Sequence, residues 1–395
     1  MHAPWALPIN RGFTEHAGYF QGCGSYATHV AACCGAPGNA SDFSRFVCGS
    51  TGPPKDYRGY DWFDGSSADF SANGTSSSEL IAARAERFVA AAAAAGEPFF
   101  LFLPFQNIHA PYDAAWSSVQ LFADQADLSD AERVMWAYIY ELDSAVGRVL
   151  AALTAAGVLD DSVIVLVSDN GAPPADGVRG RNFPLSGFKA ETFEGGTRVP
   201  ALVHAPGRLA PGRRLDIMAH VTDWSPTLVA LAGGTISPAE SLDGHDLWPA
   251  LTGAAPGPRS EVIVNINPLC GGGQFGSPKA AIRIGDMKLL CFCFSVKGIA
   301  NANETRCEPD PQAPGAWPRL HNLTADIGET TNLAAQLPDV VAQLEARLVE
   351  LAGASVEPQQ WVPPYQGANY YCADCPLHPA TGPNAAWASW IADDR

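Results

Sequence analysis

Val163-Ile164-Val165-Leu166-Val167-Ser168-Asp169-Asn170-Gly171 is the stretch on which the reading of this chain turns. Five apolar residues in succession, four of them β-branched, suit a parallel strand covered on both faces. The run stops abruptly in a carboxylate, an amide and a glycine, and open α/β sheets gather ligands at the carboxyl ends of their strands. Asp169 and Asn170 offer hard oxygens of the kind that bind Ca²⁺ or Mg²⁺, while Gly171 lets the backbone turn tightly beside them. An Asp-Asn-Gly tripeptide is also an ordinary turn, so the reading needs support from the rest of the chain.

Working outward, the apolar run Pro98 to Phe105 reads as a second buried strand, followed by Gln106-Asn107-Ile108-His109-Ala110-Pro111. His109 is the chemically useful residue past that strand end. The alternative for it is a packing or capping histidine. Downstream, Gly187-Phe188-Lys189-Ala190-Glu191-Thr192-Phe193-Glu194-Gly195-Gly196-Thr197-Arg198-Val199-Pro200 places Lys189 in a glycine-rich approach to a third apolar stretch, Pro200 to Ala205. An anion could come close to such a backbone; the alternative is a solvated loop lysine. Glu194 and Arg198 suit an ion pair around the glycine turn, and Asp223 suits a helix cap with Trp224 in the core.

Helical patterns alternate with these runs. Ser78 to Ala95 is alanine-rich with serines ahead of it. Ser129 with Glu132 forms a capping-box pattern for a helix running to about Ala156, with Gly157 ending it. Val221 to Ala232 carries Pro226 near its first turn. Strands alternating with helices predict an α/β domain with a mainly parallel sheet flanked by helices, over residues 1–250. From 251 to 395 the text turns to Gly/Pro-rich loops, strands at Glu261 to Ile266 and Lys288 to Phe294, and a helix near Pro338 to Ala352. That predicts a smaller C-terminal α+β domain.

In order and wording these motifs resemble the sulfatase family, arylsulfatase B (N-acetylgalactosamine-4-sulfatase) type, within the alkaline-phosphatase-like superfamily. The resemblance starts at Leu7-Pro8-Ile9-Asn10-Arg11-Gly12-Phe13 and runs through His109-Ala110-Pro111 and Leu142-Asp143-Ser144 to Ser168-Asp169-Asn170-Gly171. It continues in Phe193-Glu194-Gly195-Gly196-Thr197-Arg198, Asp223-Trp224-Ser225-Pro226-Thr227, Leu242-Asp243-Gly244, Ala281-Ile282-Arg283-Ile284-Gly285-Asp286-Met287-Lys288 and Gly328-Glu329-Thr330-Thr331-Asn332. It implies an alkaline-phosphatase-like fold and hydrolysis of sulfate esters, of sulfated sugars in this type. By matching motifs, Asp169 and Asn170 would be ligands of one Ca²⁺ ion. Lys189 would donate to a sulfate oxygen, and His109 would bond the sulfate or the leaving oxygen. The partner molecule would be a sulfated small molecule or glycan.

The family's nucleophile is a formylglycine made from the cysteine of a Cys-x-Pro-Ser-Arg or closely related motif, by a formylglycine-generating enzyme. That motif, the paired aspartates after a first apolar strand, and a Gly-Lys-Trp-His segment are absent from residues 1–395. Asp160-Asp161 precedes a strand, and Cys307-Glu308-Pro309-Asp310 has the wrong following residues and reads as chance. The expectation is an N-terminally incomplete chain that is inactive alone. The alternatives are a non-catalytic sulfatase-like carbohydrate-binding protein and a phosphatase or phosphodiesterase of the same superfamily, whose two-metal form needs further Asp/His pairs.

Composition bounds the class. With 395 residues, 47% of them apolar, the chain can bury a large core. A net charge of -17 opposes general binding to nucleic acid or anionic membranes. No apolar run reaches the roughly twenty residues that span a bilayer, and no signal peptide stands at Met1. Ten cysteines nevertheless point to an oxidising compartment: secretory, lysosomal or extracellular for the complete protein. Pairings of Cys33 or Cys34 with Cys48, the first of these in a region where the resembled enzymes carry a disulfide, and of Cys270 with Cys291 or Cys293, are expected. Asn39, Asn73, Asn303 and Asn322 begin N-glycosylation sequons.

Overall fold

The computed structural model describes residues 6–20, 22, 24–33, 57–173, 181–237, 241–266, 280–295, 306–308 and 316–354. Two compact units emerge, one holding the described residues up to Leu159 and one holding those from Asp160 on. The stretch from 251 keeps a sheet, helix and core of its own within the second unit.

In the first unit, β1 (Ala17–Gly18), β2 (Val30–Cys33), β3 (Tyr57–Tyr60), β4 (Phe63–Asp64) and β5 (Ser67–Ala68) form short antiparallel pairings, β2 with β3 and β1 with β4 with β5. The long helices follow. Helix α1 (Ser77–Ala95) buries Ile81, Ala82, Ala85 and Val89, which recur at helical spacing on one face. After the short α2 (Trp116–Gln120), helix α3 (Asp130–Ala155) opens with the capping box of Ser129 and Glu132 in place, and Gly157 follows its end at φ +70°. The two long helices pack along each other and are clasped by Arg148 on Glu86 through two bonds of 2.7 Å.

Pro98 to Phe105 is not a laddered strand. It is extended and alternates, with Leu103 and Phe105 against the cluster of Tyr60, Trp62, Ala72 and Ile81 while Phe100 and Phe102 are 58% and 66% exposed. The expectation of a fully buried strand is corrected here: one face is covered and no ladder partner stands among the described residues.

In the second unit, β6 (Ile164–Val167) is laddered with β7 (Ala201–His204), register Ile164↔His204 to Val167↔Ala201. This ladder is antiparallel, and Leu166 is 43% and Leu202 64% exposed. The apolar run is therefore a strand, as its composition requires, but it is not covered on both faces. After α4 (Glu194–Thr197), α5 (Trp224–Leu231) and α6 (Trp248–Thr252), strands β8 (Glu261–Ile266), β9 (Ala280–Ile284), β10 (Met287–Cys291) and, farther on, β13 (Arg319–Asn322) build an antiparallel sheet of order β13-β10-β9-β8. Ile284 and Met287 are paired across Gly285-Asp286, and the φ of +55° at Gly285 is what such a two-residue hairpin turn demands. Helix α7 (Pro338–Gly353) lays Leu344, Leu348 and Ala352 on Ala280, Ile282, Leu289 and Leu320 to form the core of this layer.

Between β10 and β13, β11 (Cys293–Ser295) pairs with β12 (Arg306–Glu308). Cys291 is disulfide-bonded to Cys307. That excludes Cys291 as the partner of Cys270, the expected alternative of Cys270 with Cys293 falling outside the described residues, and it gives a partner role to a Cys-x-Pro match read as chance. The antiparallel pairing of β11 with β12 brings the two cysteines together, a proximity that spacing alone did not show. Cys34, Cys48 and Cys270 lie outside the described residues, as do Asn39 and Asn303.

Candidate functional site

Past β6 the chain is organised by backbone. The Ser168 amide reaches the Pro200 carbonyl at 3.3 Å, extending the ladder with β7 to the edge of the turn. The Asn170 amide donates to Asp169 Oδ1 at 2.8 Å and the Asn170 side chain donates to the Gly171 carbonyl at 2.9 Å, an arrangement that holds both side chains beside the strand end. Gly171 then donates to the Gly196 carbonyl at 3.0 Å.

Three glycines make this close approach possible. A Cβ on Gly171 would stand 1.7 Å from the Gly195 carbonyl oxygen, one on Gly195 2.4 Å from that of Gly187, and one on Gly196 2.3 Å from that of Glu191. No side chain fits between backbones this near. The Lys189 loop belongs to the same cradle: the Lys189 amide donates to the Ala172 carbonyl at 2.9 Å, and the Asn182 side chain ties Ala172 N, Ala172 O and Gly187 O together at 2.9, 3.0 and 3.1 Å. Asp169, Asn170 and Lys189 are thus carried by one hydrogen-bonded backbone unit, with Asp169 exposed and Asn170 and Lys189 half-buried.

Beneath the cradle sits a charged cluster that sequence reading missed. Lys288 of β10, fully buried, places Nζ 2.9 Å from Glu194 Oε1 and 2.9 Å from Glu329 Oε1. Glu329 Oε2 in turn accepts the Glu194 amide at 2.6 Å. Burial pushes the Glu329 carboxyl above the usual carboxylate range, outweighing the pull of Lys288. Arg198 reaches Glu194 at 3.5 Å, the ion pair expected around the glycine turn. The available signal was a lysine inside Met287-Lys288-Leu289-Leu290, where a strand of buried residues has no use for an unpaired charge.

His109 belongs to the first unit and is built by other means. Two buried tyrosines hold its loop: the single Tyr26 O–H is shared between the Gln106 and His109 carbonyls, 2.7 and 2.9 Å away, and Tyr138 donates to the Pro111 carbonyl at 2.8 Å. Ser78 donates to Asn107 Oδ1 at 2.6 Å, and Asn107 Nδ2 to the Tyr138 carbonyl at 3.1 Å. Burial raises both tyrosine hydroxyls above the ordinary phenol range, so they act as neutral donors. His109 Nδ1 lies 2.7 Å from the Ala110 carbonyl, which fixes that nitrogen as the N–H. Nε2 then accepts when the ring is neutral and donates only when the ring is protonated.

Asp223 does not cap α5. Fully buried, it takes the Arg259 guanidinium and the His220 and His245 amides, at 2.7 and 2.9 Å for the two amides. Burial pushes its carboxyl up, but these donors outweigh that and hold it below its ordinary value. Of the sequons in the described residues, Asn73 is exposed after a short turn of helix, and Asn322 is half-buried with its Oδ1 accepting the Thr324 and Ala325 amides at 3.1 Å each.

Asp169 and Asn170 have the right donor chemistry for a hard cation but supply two oxygens, whereas Ca²⁺ takes about six to eight. No group of three or more His, Cys, Asp or Glu that could hold a metal stands among the described residues. These residues alone do not fit a complete metal site.

Comparison with known proteins completes the site's context. The sulfatase family model matches residues 17–234, more than half of the chain. Arylsulfatase J of Mus musculus is 30% identical over 381 residues, covering 89% of this chain and 58% of that protein. Arylsulfatase A of Homo sapiens is 32% identical over 263 residues, covering 63% and 47%. The chain therefore spans about half the length of these relatives, 58% of one and 47% of the other. Among solved structures, Ps i-CgsB in complex with k-i-k-neocarrahexaose superposes with a TM-score of 0.69 at 22% identity, over 90% of this chain and 70% of that one. That likeness establishes the alkaline-phosphatase-like fold. With the strand-end turn, its glycine cradle and the family match all in place, this chain belongs to the sulfatase family.

Proposed function

We propose that the protein hydrolyses sulfate esters of sugars, as an arylsulfatase of the B type, and that residues 1–395 supply the substrate-polarising part of the site without its nucleophile. The observation that carries this is the cradle of Gly171, Gly195 and Gly196, which sets Asp169 and Asn170 and the Lys189 loop on one rigid backbone at a strand end. Sugar substrates are favoured by the solved relatives: Ps i-CgsB was crystallised with a neocarrahexaose, and BT4656 with D-glucosamine-2-N,6-O-disulfate.

In this reading Lys189 donates to a sulfate oxygen as negative charge grows there, a contribution that preorganisation makes large. His109, its ring held by the Ala110 carbonyl, would hydrogen-bond the sulfate or the departing alcohol oxygen through Nε2. Asp169 and Asn170 would be two of the oxygens around a Ca²⁺ ion, fewer than the roughly six to eight it takes. The attacking group would be formylglycine, made by a formylglycine-generating enzyme from a cysteine that these residues do not contain. The Cys291–Cys307 disulfide favours an oxidising compartment, secretory, lysosomal or extracellular, and Asn73 is the sequon best placed for a glycan. No described helix is long and apolar enough to cross a membrane.

Turnover of an aryl sulfate and of a sulfated monosaccharide tests this. Residues 1–395 should give background rates, and the same chain preceded by a segment with paired aspartates and Cys-x-Pro-Ser-Arg, co-expressed with a formylglycine-generating enzyme, should give Ca²⁺-dependent release of sulfate. Turnover by residues 1–395 alone would remove the missing-nucleophile argument. An extended, correctly modified protein that binds a sulfated glycan without hydrolysing it would establish the non-catalytic alternative.

A further inference from the structure

Lys288 is the largest charged side chain buried completely among the described residues, and the proposed chemistry does not use it. A lone ammonium in such a place is strongly disfavoured unless it is fully paired. Here it is paired twice, with Glu194 and Glu329 at 2.9 Å each, and the two glutamates are joined by the Glu194 amide on Glu329 Oε2 at 2.6 Å. Lys288 and Glu194 are 94 positions apart in sequence, so the cluster pins a β-strand of the antiparallel sheet to the first residue of α4.

What α4 carries gives that pin its meaning. Gly195 and Gly196 follow Glu194 directly. The Gly196 carbonyl accepts the Gly171 amide at 3.0 Å, and the Gly195 amide donates to the Ser186 carbonyl at 2.7 Å. The Ser186 hydroxyl donates to the Gly328 carbonyl at 2.5 Å, beside Glu329, whose backbone sits at φ +52°. A non-glycine residue is held in that conformation only where the surroundings determine it. The path from Lys288 to Asn170 is therefore made of named hydrogen bonds and of glycines with no room to slide.

We infer that Lys288 is a positioning residue for the Asp169–Asn170 turn and the Lys189 loop: by clamping Glu194 and Glu329 it holds the Gly195–Gly196 backbone on which both are built. The inference rests on the proposed site, but its direct readout does not depend on catalysis. Arg347, which bonds Glu261 at 3.0 and 2.6 Å in the same unit, is the control for ordinary loss of an ion pair.

The test is hydrogen–deuterium exchange of residues 1–395, followed in peptides covering 167–173 and 186–198, for wild type, Lys288→Met, Glu194→Gln and Arg347→Met. Lys288→Met should speed exchange at Gly171 and Lys189 roughly tenfold or more, with α7 protected as before, because local opening is governed by the contacts of that segment alone. Glu194→Gln, which keeps the shape of the cluster, should speed the same amides by a few-fold, and it carries the test if Lys288→Met does not fold. Arg347→Met should leave both peptides unchanged. Exchange that stays at the wild-type rate in both cluster variants, or that rises uniformly across the unit, would overturn the proposal. In the extended, active protein Lys288→Met should lower kcat with KM little changed, and Lys288→Arg should recover part of it; an inactive extended wild type defeats the proposed function and leaves the exchange result to decide this inference.

Discussion

The Gly171 amide donates to the Gly196 carbonyl at 3.0 Å, and a methyl group on Gly171 would stand 1.7 Å from the carbonyl oxygen of Gly195. The obstacle is backbone in a helix start whose glutamate is clamped from below, so it cannot swing aside as a flexible side chain would. Gly171→Ala should therefore cost roughly 3 kcal/mol or more, at the upper end for overpacking. Urea denaturation of residues 1–395 measures it, and a loss under about 0.5 kcal/mol, the range of neutral surface changes, would contradict the cradle geometry.

Lys189 sits in the same cradle through its backbone, and its side chain can be shortened without touching those bonds. Lys189→Ala should leave the denaturation midpoint near that of wild type while lowering sulfate-ester turnover of the extended protein about a hundredfold or more, the scale for losing one preorganised donor. Unchanged kcat/KM would take Lys189 out of the site.

Glu329 gives the stability a pH dependence of known sign. Its folded carboxyl is raised above the ordinary value by burial, against Lys288 and with Glu194 adding to the rise. The folded state then binds a proton more readily than the unfolded chain, so the contribution is present at acid pH and fades as pH rises through the raised value. Glu329→Gln mimics the protonated form at every pH. Relative to wild type, the variant should gain stability as pH rises above the ordinary glutamate range, read from urea midpoints; a difference that stays flat would show that the Glu329 carboxyl is not raised on folding.

The faces of the β6–β7 ladder carry apolar side chains in contact with water. Leu166 and Leu202 are register partners, 43% and 64% exposed. Residues 1–395 should bind a hydrophobic dye, and Leu202→Lys should reduce that fluorescence measurably while leaving the urea midpoint within about 0.5 kcal/mol of wild type, because an exposed leucine contributes little to the core. A dye signal indifferent to Leu202→Lys would place the binding surface elsewhere.

Local chemistry was legible in the residues themselves. The capping box of Ser129 and Glu132, the alanine-rich α1, the strand ending at Asp169 and the helix from Pro338 all follow from patterns within a few positions, where propensity and capping act. The family and its alkaline-phosphatase-like fold were legible too, because many short motifs occur in one order. Long-range pairing was not. That β6 runs antiparallel to β7, that Cys291 meets Cys307, and that Asp223 serves Arg259 instead of its own helix depend on which distant segments meet. Lys288 shows the reason most plainly: its strand sequence says that a buried charge needs partners, but only folding selects Glu194 and Glu329, 94 and 41 positions along the chain in opposite directions, and so ties the sheet to the turn that carries Asp169 and Asn170.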